Sequence, residues 1–253
     1  MEAFVQTEIK NGVAEITFGT AKSNALPIAI LEQLSQTIYA EAQKEEVKII
    51  LLKSYGDKAF CAGASFDELL EIQDLETSKR FFGGFAKVLT AMRTCGKIIV
   101  VRVQGKVTGG GVGLVAAADY CFATKHSALA LTELNLGIGP FVIGPYVVRK
   151  IGTAEFTAMA LDTQFRTAEW AERNHLYQSV SDDIAEMDEK ITEFLSQLST
   201  KSKEALALIK KVSWENTDHF SDLMPERVMM SASLVLEETA KKNITAIKQK
   251  LGK

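Results

Sequence analysis

The sequence predicts an α/β protein that finishes in helices. Apolar runs rich in β-branched residues at 47–52 and 98–103 read as buried strands, and glycine-rich links join strands to helices. Beyond Ser181 the strand signal stops and apolar residues recur at helical spacing to the end.

Taken in order, residues 3–8 and 13–18 alternate apolar and polar around Asn11-Gly12, a pair suited to a tight hairpin. A helix is expected from Pro27, since proline suits a first helical position and Ile28, Leu31, Leu34 and Ile38 share one face. Residues 67–76 and 77–94 read as helical, interrupted at Gly83-Gly84. After Gly105 the pattern gives a helix near 110–118 and strands near 120–123 and 129–131. Ile184, Met187, Ile191, Phe194, Leu195 and Leu198 step by three and four, as do Leu206, Ile209 and Val212. A lysine-rich amphipathic helix is expected over 228–251. The organisation expected is an α/β core over 1–190 and a helical region over 191–253. The apolar face of that region must be buried against the core or another subunit.

Composition narrows the function. The 253 residues are 47% hydrophobic and 24% charged, enough for a sizeable core. A net charge of −3 argues against nucleic acid as the main partner. The opening segment shows neither a basic n-region nor an apolar h-region, and no run reaches the length of a membrane span, so a cytoplasmic protein is expected. Cys61, Cys95 and Cys121 are odd in number and far apart, which fits a reducing compartment. With no Cys-x-x-Cys spacing and three histidines in all, a zinc site is not expected. His126, His175 and His219 have no partner at catalytic spacing and read as structural or exposed.

Two glycine-rich links stand out. Residues 58–67, including Phe60-Cys61-Ala62-Gly63-Ala64, follow a strand and precede a helix, and so do residues 104–114, including Gly105, Gly109, Gly110 and Gly111. Small residues let a ligand approach the main chain, and a helix N-terminus offers free N–H groups. Two such links facing each other would give two donors to one oxygen, the requirement of an oxyanion hole. Two other readings compete. The glycines could serve only helix–sheet packing. Gly111, Gly113 and Ala116 also fit Gly-x-Gly-x-x-Ala, with Glu133 about 20 residues on, but the pattern lies mid-chain rather than in a first βαβ unit. No phosphate loop of the Gly-x-x-x-x-Gly-Lys-Ser/Thr kind is present.

Taken together, Ala21-Lys22-Ser23-Asn24-Ala25-Leu26, the Phe60–Ala64 link, Gly105-x-x-x-Gly109-Gly110-Gly111 with Asp119, and Thr132-Glu133-Leu134-Asn135-Leu136-Gly137-Ile138 followed by Pro140 resemble the crotonase superfamily of enoyl-CoA hydratases and isomerases. The resemblance covers essentially the whole chain. It implies a crotonase (ClpP-like) spiral of ββα units with a helical C-terminal region. It also implies an acyl-CoA thioester as substrate, with coenzyme A part of that substrate and no separate cofactor or metal. The N–H groups of Ala64 and Gly110 would form the oxyanion hole and Glu133 would be the catalytic carboxylate. Lys22, Ala25, Leu26, Phe60, Ala62 and Gly109 would lie along the CoA. Relatives commonly assemble as trimers or hexamers through their C-terminal helices, so a homo-oligomer is expected, and tail lysines could reach a CoA phosphate.

In the family's hydratases two glutamates handle the water and its protons. Glu133 matches the second; the first falls on Gly113. A single carboxylate suits an isomerase that shuttles one proton between C2 and C4. Yet residues 111–116 and 144–148 resemble bacterial methylglutaconyl-CoA hydratases. Hydration of a 2-enoyl-CoA is therefore the first expectation, with isomerisation by Glu133 alone or a non-catalytic acyl-CoA-binding protein as alternatives. Asp67, Glu68 and Glu71 are candidate substitutes for the missing carboxylate. Ser65 stands where many relatives have Asp. Phe81, Phe82, Phe85, Phe141 and Val142 could shape an acyl pocket, and most of them are expected to be core.

Overall fold

In the computed structural model, which describes residues 1–251, the expected hairpin forms as β1 (Phe4–Lys10) and β2 (Val13–Gly19), paired antiparallel. Its turn uses Asn11 at φ 50° and Gly12 at φ 79°. β2 then pairs in parallel with β3 (Ile49–Ser54), followed by β5 (Ile98–Val103), β7 (Tyr120–Thr124) and β10 (Ser179–Ser181). The period of two along these strands sorts the side chains between two layers. Ile50, Leu52, Ile99 and Val101 face the main core, while Ile49, Leu51, Ile98 and Val100 face a smaller cluster.

The main core lies under α1 (Ile28–Gln43), α3 (Leu75–Thr94), α4 (Gly110–Ala117) and α5 (Gly144–Asp162), the last bent at Gly152. A second sheet has the order β4 (Ala59–Cys61), β6 (Lys106–Thr108), β8 (Ala128–Ala130), β9 (Arg166–Thr167). Short helices α2 (Phe66–Glu71) and α6 (Ala168–Arg173) flank it in sequence.

Two helix boundaries differ from expectation. The break expected at Gly83-Gly84 lies instead at 72–74, where the Asp74 side chain accepts from the Thr77 N–H and starts α3 afresh. α3 runs straight through the glycines. The expected helix over 228–251 is two helices, α9 (Phe220–Leu234) and α10 (Glu238–Leu251). The chain turns between them with Val235 buried, which sends α10 back across α2 and the segment following Thr132.

α7 (Ile184–Ser199) and α8 (Lys203–Ser213) complete the tail, and the boundary expected at residue 190 falls inside α7. Met187, Ile191, Leu195 and Leu206 close the smaller cluster, whereas Trp214, Phe220, Met224, Ala240 and Ile244 belong to the main core. α8 is tied down by a buried ion pair. The Lys210 ammonium lies 2.6 Å from Asp119 Oδ2 and 2.7 Å from the Met92 carbonyl. Asp119 also accepts from the Trp214 indole and the Ile99 N–H, each at 2.7 Å. No helix among the described residues is long and apolar enough to cross a membrane.

Candidate active site

The two glycine-rich links meet edge to edge. Leu26 pairs with Ala64 as an isolated parallel bridge: Leu26 N–H donates to the Gly63 carbonyl at 2.8 Å, and Ser65 N–H to the Leu26 carbonyl at 3.1 Å. The Ala64 N–H, pointing the other way, engages no backbone acceptor among the described residues. Gly110 opens α4, so its N–H belongs to the first turn, which has no partner within the helix. The left-handed backbone at Gly63 (φ 83°) and Gly109 (φ 53°) aims the two links at each other. A Cβ built on Gly63 would stand 3.0 Å from the Thr108 carbonyl oxygen and 3.6 Å from the Gly110 nitrogen.

Above them is a cavity that is partly open to solvent. Ala62, Ala64, Gly109 and Gly110 form its floor and Glu133 one wall, with Phe66, Leu69, Phe82, Phe85, Leu136, Ile138, Phe141, Val142 and Ile143 around them. Thr132 and Ser231 add hydroxyls. Four of the five residues expected to be largely core, Phe82, Phe85, Phe141 and Val142, therefore line the cavity, and only Phe81 stays out of it. Their apolar character could not distinguish a dry core from a dry pocket.

Glu133 begins a 3-10 turn, Glu133–Leu136, closed by Gly137 in the left-handed conformation (φ 79°). The turn lays the carboxylate over Gly109, whose hypothetical Cβ would lie 3.3 Å from Oε1. The residue is half-buried along its length, but Oε2 is fully buried and has no hydrogen-bond partner. Burial pushes the carboxyl up to about 7, against the opposing pull of the Glu133 and Thr132 N–H groups. A carboxyl near neutrality beside two unengaged N–H donors can move a proton at a carbon next to a carbonyl held on those donors.

Position 113 offers no second carboxylate and no room for one. A Cβ there would meet Ile143 Cγ2 at 2.5 Å, Ile143 Cβ at 2.9 Å and Leu89 Cδ1 at 3.4 Å, all buried apolar atoms. The carboxylates of α2 do not substitute either. Asp67 forms ion pairs with Lys22 and Lys248, Glu68 accepts from Ile28 N–H at 2.7 Å and so caps α1, and Glu71 is exposed. Glu68 is needed there because Pro27 has no side-chain group to cap α1. The inner face of α2 presents Phe66 and Leu69 to the cavity instead. Ser65 starts the helix by accepting from the Glu68 N–H.

The residues expected along the CoA divide into two sets. Lys22, Ala25 and Ala62 line an outer groove that shares Ala62 and Phe66 with the cavity, and Gly109 lines the cavity itself. Leu26 and Phe60 are fully buried; Leu26 supports Ala64, and the Phe60 ring packs edge-on against Phe18. The Lys22 and Lys248 ammonium groups converge on Asp67 at that groove. Ile143 and Ser231 were not singled out in the sequence, because each reaches the site from a helix distant in the chain.

The family model described as enoyl-CoA hydratase/isomerase matches residues 8–251. A trans-2-decenoyl-[acyl-carrier-protein] isomerase of Streptococcus mutans is 25% identical over 252 residues, 96% of this chain and 94% of the relative. A probable enoyl-CoA hydratase of Bacillus subtilis is 27% identical over 205 residues, covering 81% and 79% of the two chains. Among solved structures, an enoyl-CoA hydratase from Bacillus halodurans superposes with a TM-score of 0.89 at 22% identity, covering 96% of this chain and 99% of that one. The expected crotonase fold, two mixed sheets with C-terminal helices, is the fold of this chain.

Proposed function

This chain belongs to the enoyl-CoA hydratase/isomerase family, and we propose that within it the protein moves a double bond along the acyl chain of an enoyl thioester, with Glu133 as the lone proton carrier. The observation that carries this reading is the filled space at position 113, where Ile143 and Leu89 leave one carboxylate in the cavity. The thioester oxygen would accept from the N–H groups of Ala64 and Gly110. Glu133, ionised, takes a proton from C2 of a 3-enoyl thioester, and the electron pair spreads over the dienolate to that oxygen. The protonated carboxyl then returns the proton to C4, giving the 2-enoyl thioester with no atom gained or lost. A carboxyl titrating near 7 suits a group that must both take and give a proton near neutral pH.

Water addition, the first expectation from sequence, becomes the second reading. It is favoured by the hydroxyls of Thr132 and Ser231 in the cavity wall and by relatives whose names specify hydratases. It would require Glu133 alone to activate the water. A methylglutaconyl chain ends in a carboxylate, and no Lys, Arg or His among the described residues lines the cavity, so an apolar acyl chain fits better. A binding-only protein would have no use for a buried, unpartnered Glu133 carboxylate.

The CoA-like part of the thioester would run along the outer groove past Lys22, Ala25 and Ala62, with Gly109 beneath the thioester. We read the α/β core as the acyl-thioester unit and the helical tail as the assembly surface of a trimer or hexamer. Leu208, Ile209 and Val212 of α8 are 60%, 56% and 60% exposed and give that surface an apolar stripe.

The test is Glu133→Gln, assayed on a 3-enoyl-CoA alongside calorimetric binding of a saturated acyl-CoA. Turnover is expected to fall by about 10²–10⁴ with binding retained. Turnover that survives the substitution refutes the assignment.

A further inference from the structure

The cavity above Glu133 does not end in solid core. Phe141 lines both this cavity and a second, more open groove. The two spaces also share a wall. Leu223, Arg227 and Ser231 recur every four residues on one face of α9; Leu223 and Arg227 line the second groove and Ser231 the cavity. Val148 and Phe156 of α5 and Phe220 of α9 give the groove apolar walls, with Arg149 and His219 among its polar lining. Phe141 lies in the connection before α5, in no helix or strand, with its ring folded over Gly139. Phe141 is the one described residue that lines both spaces, and no regular element holds it.

We propose that Phe141 sets the length of acyl chain the protein accepts, and that the groove along α9 receives the distal methylenes of chains that outgrow the cavity. The proposal rests on the thioester reading above and adds the substrate class: medium to long unbranched acyl chains, threaded from the outer groove past Glu133 toward Phe141. The chain of shared walls selects an acyl tail as the occupant: the outer groove meets the cavity at Ala62 and Phe66, and the cavity meets the second groove at Phe141.

Binding of saturated acyl-CoAs tests it without depending on turnover. Calorimetric affinities for hexanoyl-, decanoyl- and tetradecanoyl-CoA would be measured on the wild type, Phe141→Ala, Phe141→Trp and Phe141→Ala/Leu223→Trp. Each two methylenes newly buried should tighten binding about tenfold. In Phe141→Ala that gain is expected to continue to longer chains than in the wild type. In Phe141→Trp it should stop earlier, and adding Leu223→Trp should return the alanine variant to an early plateau. An identical chain-length profile in all four proteins overturns the proposal and leaves the thioester reading standing. So does a change of subunit number caused by Leu223→Trp, by light scattering, with the extended profile of Phe141→Ala intact, since the groove would then belong to a second copy. Binding of no acyl-CoA by any of the four overturns both.

Discussion

Gly113→Ala probes the space on which the choice of chemistry turns. The new Cβ would sit 2.5 Å from Ile143 Cγ2 and 2.9 Å from Ile143 Cβ. Neither atom is the free end of a flexible chain: Ile143 is β-branched, 3% exposed, and occupies the cap position of α5. Relief therefore requires a backbone shift, and overpacking of this kind costs about 1–3 kcal/mol. Alanine returns about 1 kcal/mol through its helix propensity, because position 113 lies inside α4. The net loss expected is about 0–2 kcal/mol, so the coupling to Ile143 is the deciding readout. The assay is a double-mutant cycle by urea denaturation with Ile143→Gly, which deletes both clashing atoms. The double variant should be more stable than the sum of the singles by about 1 kcal/mol or more, within the range for side chains in contact. Zero coupling, with Gly113→Ala as stable as the wild type, would refute the reasoning. Position 113 would then be open and a second carboxylate admissible.

Four further outcomes are expected. Gly110→Ala drives a methyl toward Phe85 Cε1, 2.1 Å from the ideal Cβ, so the N–H it carries is re-aimed; steady-state turnover should fall about 10²–10³-fold with the circular dichroism spectrum unchanged. Burial lifts the Glu133 carboxyl from 4.5 to about 7, so kcat/KM should decline as pH falls through 7, where the base becomes protonated. Because the folded state holds this proton more tightly than the unfolded chain, the native structure should lose stability as pH rises from 4.5 to 7, by about 3 kcal/mol. Urea melts of Glu133→Gln against the wild type should show the variant's advantage growing between pH 5 and 8. Asp119→Ala strands the buried Lys210 ammonium and the Trp214 indole, which should cost about 3–5 kcal/mol and lower the Tm on the order of 10 °C by calorimetry.

Local signals placed much of this fold in the sequence. Asn11-Gly12 set the hairpin, the β-branched runs at 47–52 and 98–103 marked the central parallel strands β3 and β5, and the two glycine-rich links marked the floor of the cavity. Of the second sheet only β8 was legible, as the strand expected near 129–131; β4, β6 and β9 escaped, because strands of two or three residues are too short to show a period. α5 escaped as well. It is a weakly amphipathic helix bent at Gly152, and it was met in the sequence only as a run resembling certain relatives. The glycines at 83–84 misled because Gly84 is there for packing: its Cα lies close under Leu31 of α1, leaving 3.0–3.1 Å for a Cβ. The meaning of Gly113 was half legible. Sequence showed that a carboxylate was missing but not that Ile143, thirty residues on, fills its place. That contact is made by tertiary packing alone, and so is the burial that tunes Glu133.

The most direct test of the central claim is the mass of the product. Purified protein would be incubated with a 3-enoyl-CoA and, separately, with the 2-enoyl isomer, each followed by chromatography and mass spectrometry. The account predicts conversion of the 3-enoyl to the 2-enoyl thioester at unchanged mass, abolished in Glu133→Gln, with no hydration of the 2-enoyl substrate. A gain of one water by the 2-enoyl thioester, with the 3-enoyl left untouched, would contradict it and make Glu133 the activator of water.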